Sequence, residues 1–161
     1  MTILDKIKNF LADTHDVSLG YSEINFIQPE NLDEEQIGYS VDAHNNSLIT
    51  GNDGDWQEEW LVIANDELGD PIFVDVSSPN LTVLSSQHGE GTWEPFVIAN
   101  SLDNFKSIIS ILNDISNDGT NPVDLEKNPI SVKERQNTLT SIEEQNPDVE
   151  IWFWEKFFEK D

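Results

Sequence analysis

The stretch "EEWLVIANDELGDPIFVDVS" constrains the fold of this chain more than any other. It sets two apolar runs, each short enough for a strand, on either side of "NDELGD", a segment of turn chemistry. Pro71 opens the second run, at the strand position where its missing N–H does least harm. The run through Trp60 reads as a largely buried strand, so the pair predicts a hairpin with a polar, Asn- and Gly-rich approach loop, "DAHNNSLITGNDGD". Downstream, "LTVLSS" gives another short strand, "QHGEGTWE" a turn and "PFVIA" one more strand. Upstream, Ile24 to Ile27 and Gly38 to Val41 are strand candidates separated by Pro29 and an acidic turn. The centre is thus expected to be an antiparallel meander, and the fold class α+β, a mostly antiparallel sheet flanked by helices.

The helices are signalled by period. From Thr2 to about Asp13, Ile3, Leu4, Ile7, Phe10 and Leu11 recur at helical spacing and predict one buried face. In "NSLDNFKSIISILNDIS", Ser101 is placed to cap a helix whose stripe is Leu102, Phe105, Ile108, Ile109, Leu112 and Ile115. "NDGTNPVDLEKNP" reads as a surface connection. Ser131 with Glu134 has the S-x-x-E spacing of a capping box, opening a helix that ends near Gln145, before Pro147. The final "VEIWFWEKFFEK" holds too many aromatics for a solvated tail and is expected to dock. Residues 1–118 are therefore expected to form the main domain, with 119–161 a linker and a C-terminal extension packed on it.

Charge limits the partners. The 161 residues carry 32 Asp and Glu against 8 Lys and Arg, a formal charge of -24. That field serves solubility, repels phosphate backbones and anionic lipid, and attracts cationic proteins. Neither nucleic acid nor membrane is expected as a partner. The chain contains no cysteine, which removes disulfides, zinc-thiolate sites and cysteine nucleophiles. The N-terminal segment lacks the pattern of a signal peptide and no apolar run is long enough to span a bilayer, so a cytoplasmic location is expected.

A search for chemistry returns little. Neither nucleotide-binding glycine motif occurs, and "GEG" at 89–91 is followed by Trp93, Glu94 and Pro95, the marks of a turn. His15, His44 and His88 lie beside a helix end or in polar loops, with no nucleophile elbow. The oxygen-rich loops "NDGD" and "NDELGD" miss the EF-hand spacing, so no metal and no cofactor is expected. Carboxylate pairs of the glycosidase kind are too numerous to be informative, since only their separation in space is diagnostic. Trp60, at a strand position, is expected in the core. Trp56 and Trp93, in turns rich in glycine and carboxylates, suit either the core or an interface, where a ring supplies desolvated area and a cation–π face.

The order of these features resembles the SUKH superfamily, which contains bacterial immunity proteins and fungal regulators of the Smi/Knr type. The resemblance runs from about Tyr21 to Ile115. It is carried by Trp60 before an apolar strand, the Gly69, Asp70, Pro71 turn into a strand ending at Asp75, the His88, Gly89 turn, and a strand leading through Ser101 into a helix bearing Phe105. It implies a SUKH-like sheet flanked by helices and a domain that is not an enzyme. In bacteria it implies binding and neutralisation of a toxin, often a nuclease and hence basic, for which a carboxylate-rich surface is a suitable match. A regulatory or scaffold module of the Smi/Knr type is the alternative, and a carbohydrate-binding or glycoside-active protein using Trp56 and Trp93 a third. The residues expected to meet the partner are Asp53, Asp55, Trp56, Asp66, Glu67, Glu90 and Trp93.

Overall fold

A computed structural model describes residues 1–116 and 129–158. Six strands form one sheet in sequential order: β1 (Val17–Leu19), β2 (Ser22–Phe26), β3 (Trp60–Asp66), β4 (Pro71–Asp75), β5 (Val83–Ser85) and β6 (Phe96–Ala99). Every neighbouring pair is antiparallel, so the expected meander and α+β class are what the chain adopts. Four α-helices accompany the sheet among the described residues: α1 (Ile3–Ala12), α2 (Leu102–Ser116), α3 (Val132–Gln145) and α4 (Trp152–Glu155). Residues 117–128 of the connection expected across 117–129, and with them the boundary at residues 118 and 119, lie outside the described residues.

Two strand expectations need correction. β1 went unread because three residues carry too little periodicity to register. Gly38 to Val41 is not a strand; only isolated bridges join Ile37 to Val41 and Val41 to Ser47. The segment belongs instead to a long excursion between β2 and β3, which begins with two single 3-10 turns at Pro29–Asn31 and Glu34–Gln36. Gln36 ties that excursion to the sheet. β2 ends at Phe26, opposite Ala64, leaving the first half of β3 without that neighbour. The buried Gln36 amide takes its place: it accepts from the Val62 N–H and donates to the Val62 carbonyl, both at 2.9 Å, and donates also to the Leu32 carbonyl.

A bulge in β3 distributes the core between both faces. Val62 pairs with Phe73 and Ala64 with Ile72, so Ile63 is the extra residue and the side-chain alternation reverses across it. Trp60, Val62 and Phe73 consequently share one face, while Ala64, Ile72 and Phe26 share the other. Val62, Ile63 and Ala64 are all fully buried, as a sheet covered on both sides requires.

The helices cover the Phe26 face. Phe10 of α1, Phe26 and Phe105 of α2 meet with ring centroids 5.8–6.0 Å apart, and Phe105 contacts Trp154. α1 starts with a reciprocal capping box: Thr2 Oγ1 accepts from the Asp5 N–H, and Asp5 from the Thr2 N–H. Its buried stripe is narrower than expected, because Ile7, Phe10 and Leu11 are buried while Ile3 and Leu4 remain exposed at the first turn. Ser101 caps α2 through the Asn104 N–H, and Ser131 caps α3 through the Glu134 N–H. The C-terminal segment docks on this face, with Phe153, Trp154, Phe157 and Phe158 buried. A second bulge, at Ile98 of β6, helps to fix it: the Trp154 indole N–H donates to the Ile98 carbonyl at 2.8 Å, and the Glu150 N–H to that of Val97. These bonds cover the free edge of β6, which would otherwise present unpaired backbone.

Candidate functional site, an acidic face built on tryptophans

The opposite face of the sheet is covered by irregular chain. Trp56, from the β2–β3 excursion, lies over Phe73 with ring centroids 4.7 Å apart and also contacts Tyr39, Trp60 and Trp93. Its indole N–H donates to the Trp60 carbonyl at 3.2 Å. Trp56 is only 2% exposed, whereas Trp60 and Trp93 are half-buried around it. Of the two readings open for Trp56 the core is the one adopted, which corrects its expected place among the partner-meeting residues, and Trp60 packs against the core as expected but only half-buried. Trp56 is the core ring and is not available to anchor a partner or stack on a sugar, while Trp60 keeps one edge at a shallow apolar groove with Ile3, Leu4, Leu61 and Val76. A tryptophan's burial depends on what crosses over it, and the local sequence is silent on that.

The excursion is held to the β5–β6 loop at one close approach. The Trp93 N–H donates to the Gly54 carbonyl at 2.8 Å. Gly54 has φ +86, and a Cβ there would stand 3.1 Å from Thr92 Cγ2, so a side chain would strain the backbone and press on Thr92. Around this join the acids divide into working and free groups. Asp42 accepts from the Asn46 N–H, the Asn46 side-chain amide and the His44 N–H, which hold its carboxyl below the usual carboxylate range. Asp55 accepts from the Thr50 hydroxyl at 2.6 Å. Asp53, Glu58 and Glu90 are exposed. Tyr39 is driven up from its ordinary phenol value by burial, and further by the Asp70 and Glu35 carboxylates.

Asp66 and Glu67, both expected to meet a partner, do structural work at the β3–β4 turn. Buried Asp66 accepts from the Leu68 and Asp70 N–H groups with one oxygen and from the Lys156 ammonium at 3.1 Å with the other. Glu67 takes the same ammonium at 3.0 Å, and Lys156 also sits 4.4 Å above the Phe153 ring. This clasp locks the C-terminal segment to the sheet, so Asp66 and Glu67, expected to meet a partner, are already paired with Lys156. Lys156 as their partner was hidden by its distance along the chain. Asp70 is likewise structural: its Oδ1 accepts from the His88 backbone N–H at 3.0 Å and from His88 Nδ1 at 2.6 Å, pinning the loop that begins at Gly89. Asp75 ends β4 by accepting from the Ser77 N–H and hydroxyl, and Phe105 is fully buried.

One signal that bears on function lies in the order of charges. Between Lys8 and Lys106 the chain has no lysine or arginine, yet it carries nineteen carboxylates. This interval holds the whole sheet and the whole loop-covered face. All the described cations lie on α1, α2, α3 or the C-terminal segment. Among the described residues no group of three or more metal-ligating side chains is placed to hold a metal ion, and no helix is long and apolar enough to cross a membrane. No family model, curated protein or solved structure matches the chain.

Proposed function

We propose that this chain is a SUKH-type protein-binding module that neutralises a basic protein toxin, in the manner of an immunity protein, without catalysing a reaction. The observation that carries the reading is the cation-free interval from Lys8 to Lys106, which carries nineteen carboxylates and includes the Trp56 layer of contacting rings. An anionic surface of this kind accelerates encounter with a cationic partner and disfavours anionic ones. A nuclease fits best as the toxin, because a protein that grips phosphates presents the complementary charge. Asp53, Glu58 and Glu90 supply exposed charge, and Trp60 and Trp93 supply the half-buried apolar surface that charge alone lacks.

The test is co-expression with any basic protein toxin that neighbouring genes encode, together with binding kinetics at two salt concentrations. Rescue of growth and an association rate that falls steeply with salt are expected. Binding without rescue would favour the Smi/Knr-like regulatory role, and absence of both would overturn the reading.

A further inference from the structure

A second aromatic-and-acid surface lies away from the Trp56 layer, where the β5–β6 loop meets α4. Trp152 is the most exposed of the phenylalanine, tyrosine and tryptophan residues at 48%, while its neighbours Phe153 and Trp154 are buried. Its ring packs on Phe96 with centroids 4.7 Å apart, and its indole N–H has no acceptor among the described residues. Trp152 and Phe96 line a groove of about 370 Å³ with Glu90, Glu94, Gln87 and Thr92, and among the described residues no cation lines it.

The groove is built in advance of any ligand. The loop that carries both glutamates is pinned at three points: His88 to Asp70, the Glu94 N–H to Ser86 Oγ at 3.0 Å, and the Trp93 N–H to Gly54. On the other wall, the Glu150 N–H and the Trp154 indole fix the chain on either side of Trp152 to Val97 and Ile98. The nearest cation along the chain, Lys156, is committed to Asp66 and Glu67 and cannot neutralise the groove from within.

From this geometry we infer that the Trp152 groove is a receptor for an arginine side chain of the basic partner, the guanidinium stacking on the exposed indole and donating to Glu90 and Glu94. A guanidinium is planar, stacks on aromatic faces and donates in its own plane, so one group satisfies the ring and the carboxylates together. A pre-ordered site avoids the cost of fixing rotamers on binding, which is the condition for a hot spot. The inference rests on the basic-partner reading and adds to it a place and a side chain.

The experiment titrates the full chain with N-acetyl-arginine amide, its neutral isostere N-acetyl-citrulline amide and N-acetyl-lysine amide, followed by amide and indole NMR shifts. The arginine compound is expected to move the Trp152 indole N–H and the backbone of Gln87 to Glu94, with citrulline at least tenfold weaker and lysine intermediate. Trp152→Ala, and separately Glu90→Gln with Glu94→Gln, should each weaken arginine binding at least fivefold, the glutamine pair leaving the melting temperature in place because both glutamates are exposed, and Trp152→Ala lowering it through the lost Phe96 contact while keeping one cooperative melt. If both cationic compounds shift only the Asp53 and Glu58 region, the groove is overturned and the basic-partner reading stands. If citrulline binds as well as arginine, the charge recognition proposed for the groove is wrong. If neither cation produces shifts anywhere, both readings fall.

Discussion

The helix-covered and loop-covered faces of this sheet each bury a set of contacting rings, but they hold them by different means. On the helix side, Phe10, Phe26, Phe105 and Trp154 project from regular elements whose apolar positions repeat at helix or strand period. On the loop side, Tyr39, Trp56 and Trp93 come from irregular chain and are placed by single bonds, such as Trp93 N–H to Gly54 and Gln36 to Val62. No ring of one set contacts a ring of the other among the described residues. Charge divides the same way, with all the described cations on the helices and the C-terminal segment. A face built from periodic elements is redundant in its supports. A face built from loops depends on a few polar fasteners, and it is also the face free to display unbalanced charge.

The contrast is broken most severely by removing the C-terminal segment. A chain ending at Asn146 loses Phe153, Trp154, Phe157 and Phe158, the phenylalanines each worth about 1.5–3 kcal/mol of burial and the larger tryptophan more. Their sum is comparable with the roughly 5–15 kcal/mol by which domains are stable, so cooperative unfolding should be lost or shifted far down in a circular dichroism melt. A sharp melt near that of the full chain would show that the helix-covered face does not need this cover.

Trp56→Ala should cost about 3–5 kcal/mol by urea denaturation, as a buried aromatic replaced by a methyl group does. Trp60→Ala should cost about half as much, since Trp60 is only half-buried. The reverse order would return Trp60 to the centre of the core. Gln36→Ala should cost about 2 kcal/mol, because it strands the N–H and carbonyl of buried Val62. Its signature is loss of hydrogen-exchange protection in β3 and the excursion, with α2 unchanged; uniform loss would mean the loop-covered face does not yield separately.

Smaller effects sharpen the electrostatic side of the comparison. Asp53→Lys with Glu58→Lys should change stability by no more than about 0.5 kcal/mol while slowing association with a basic partner roughly tenfold at low salt. Equal slowing by charge reversal on α3 would deny the loop-covered face its special role. Burial raises the Tyr39 phenol, so the folded state favours the neutral form. Its contribution to stability is therefore complete below about pH 10 and is lost as pH rises through the folded value. Tyrosinate absorbance in a Tyr21→Phe background should rise later in the folded chain than in urea, and coincident curves would place Tyr39 in solvent.

What could be read from the residues alone was whatever is decided locally. The meander order followed from turn chemistry such as "NDELGD" before Pro71, and α1 and α2 from their apolar period, because hydrogen-bonded turns and amphipathic stripes are set within a few residues. The acidity that points to a cationic partner is a property of composition and needs no fold. Tertiary structure alone decided the rest. The bulge at Ile63 set which side chains share a face, and the excursion crossing the sheet decided that Trp56 is core and that Trp60 packs against the core only half-buried. Lys156 withdrew Asp66 and Glu67 from the free surface across some ninety residues of chain. Burial and charge pairing are relations between segments brought together by packing, and no short window contains both partners.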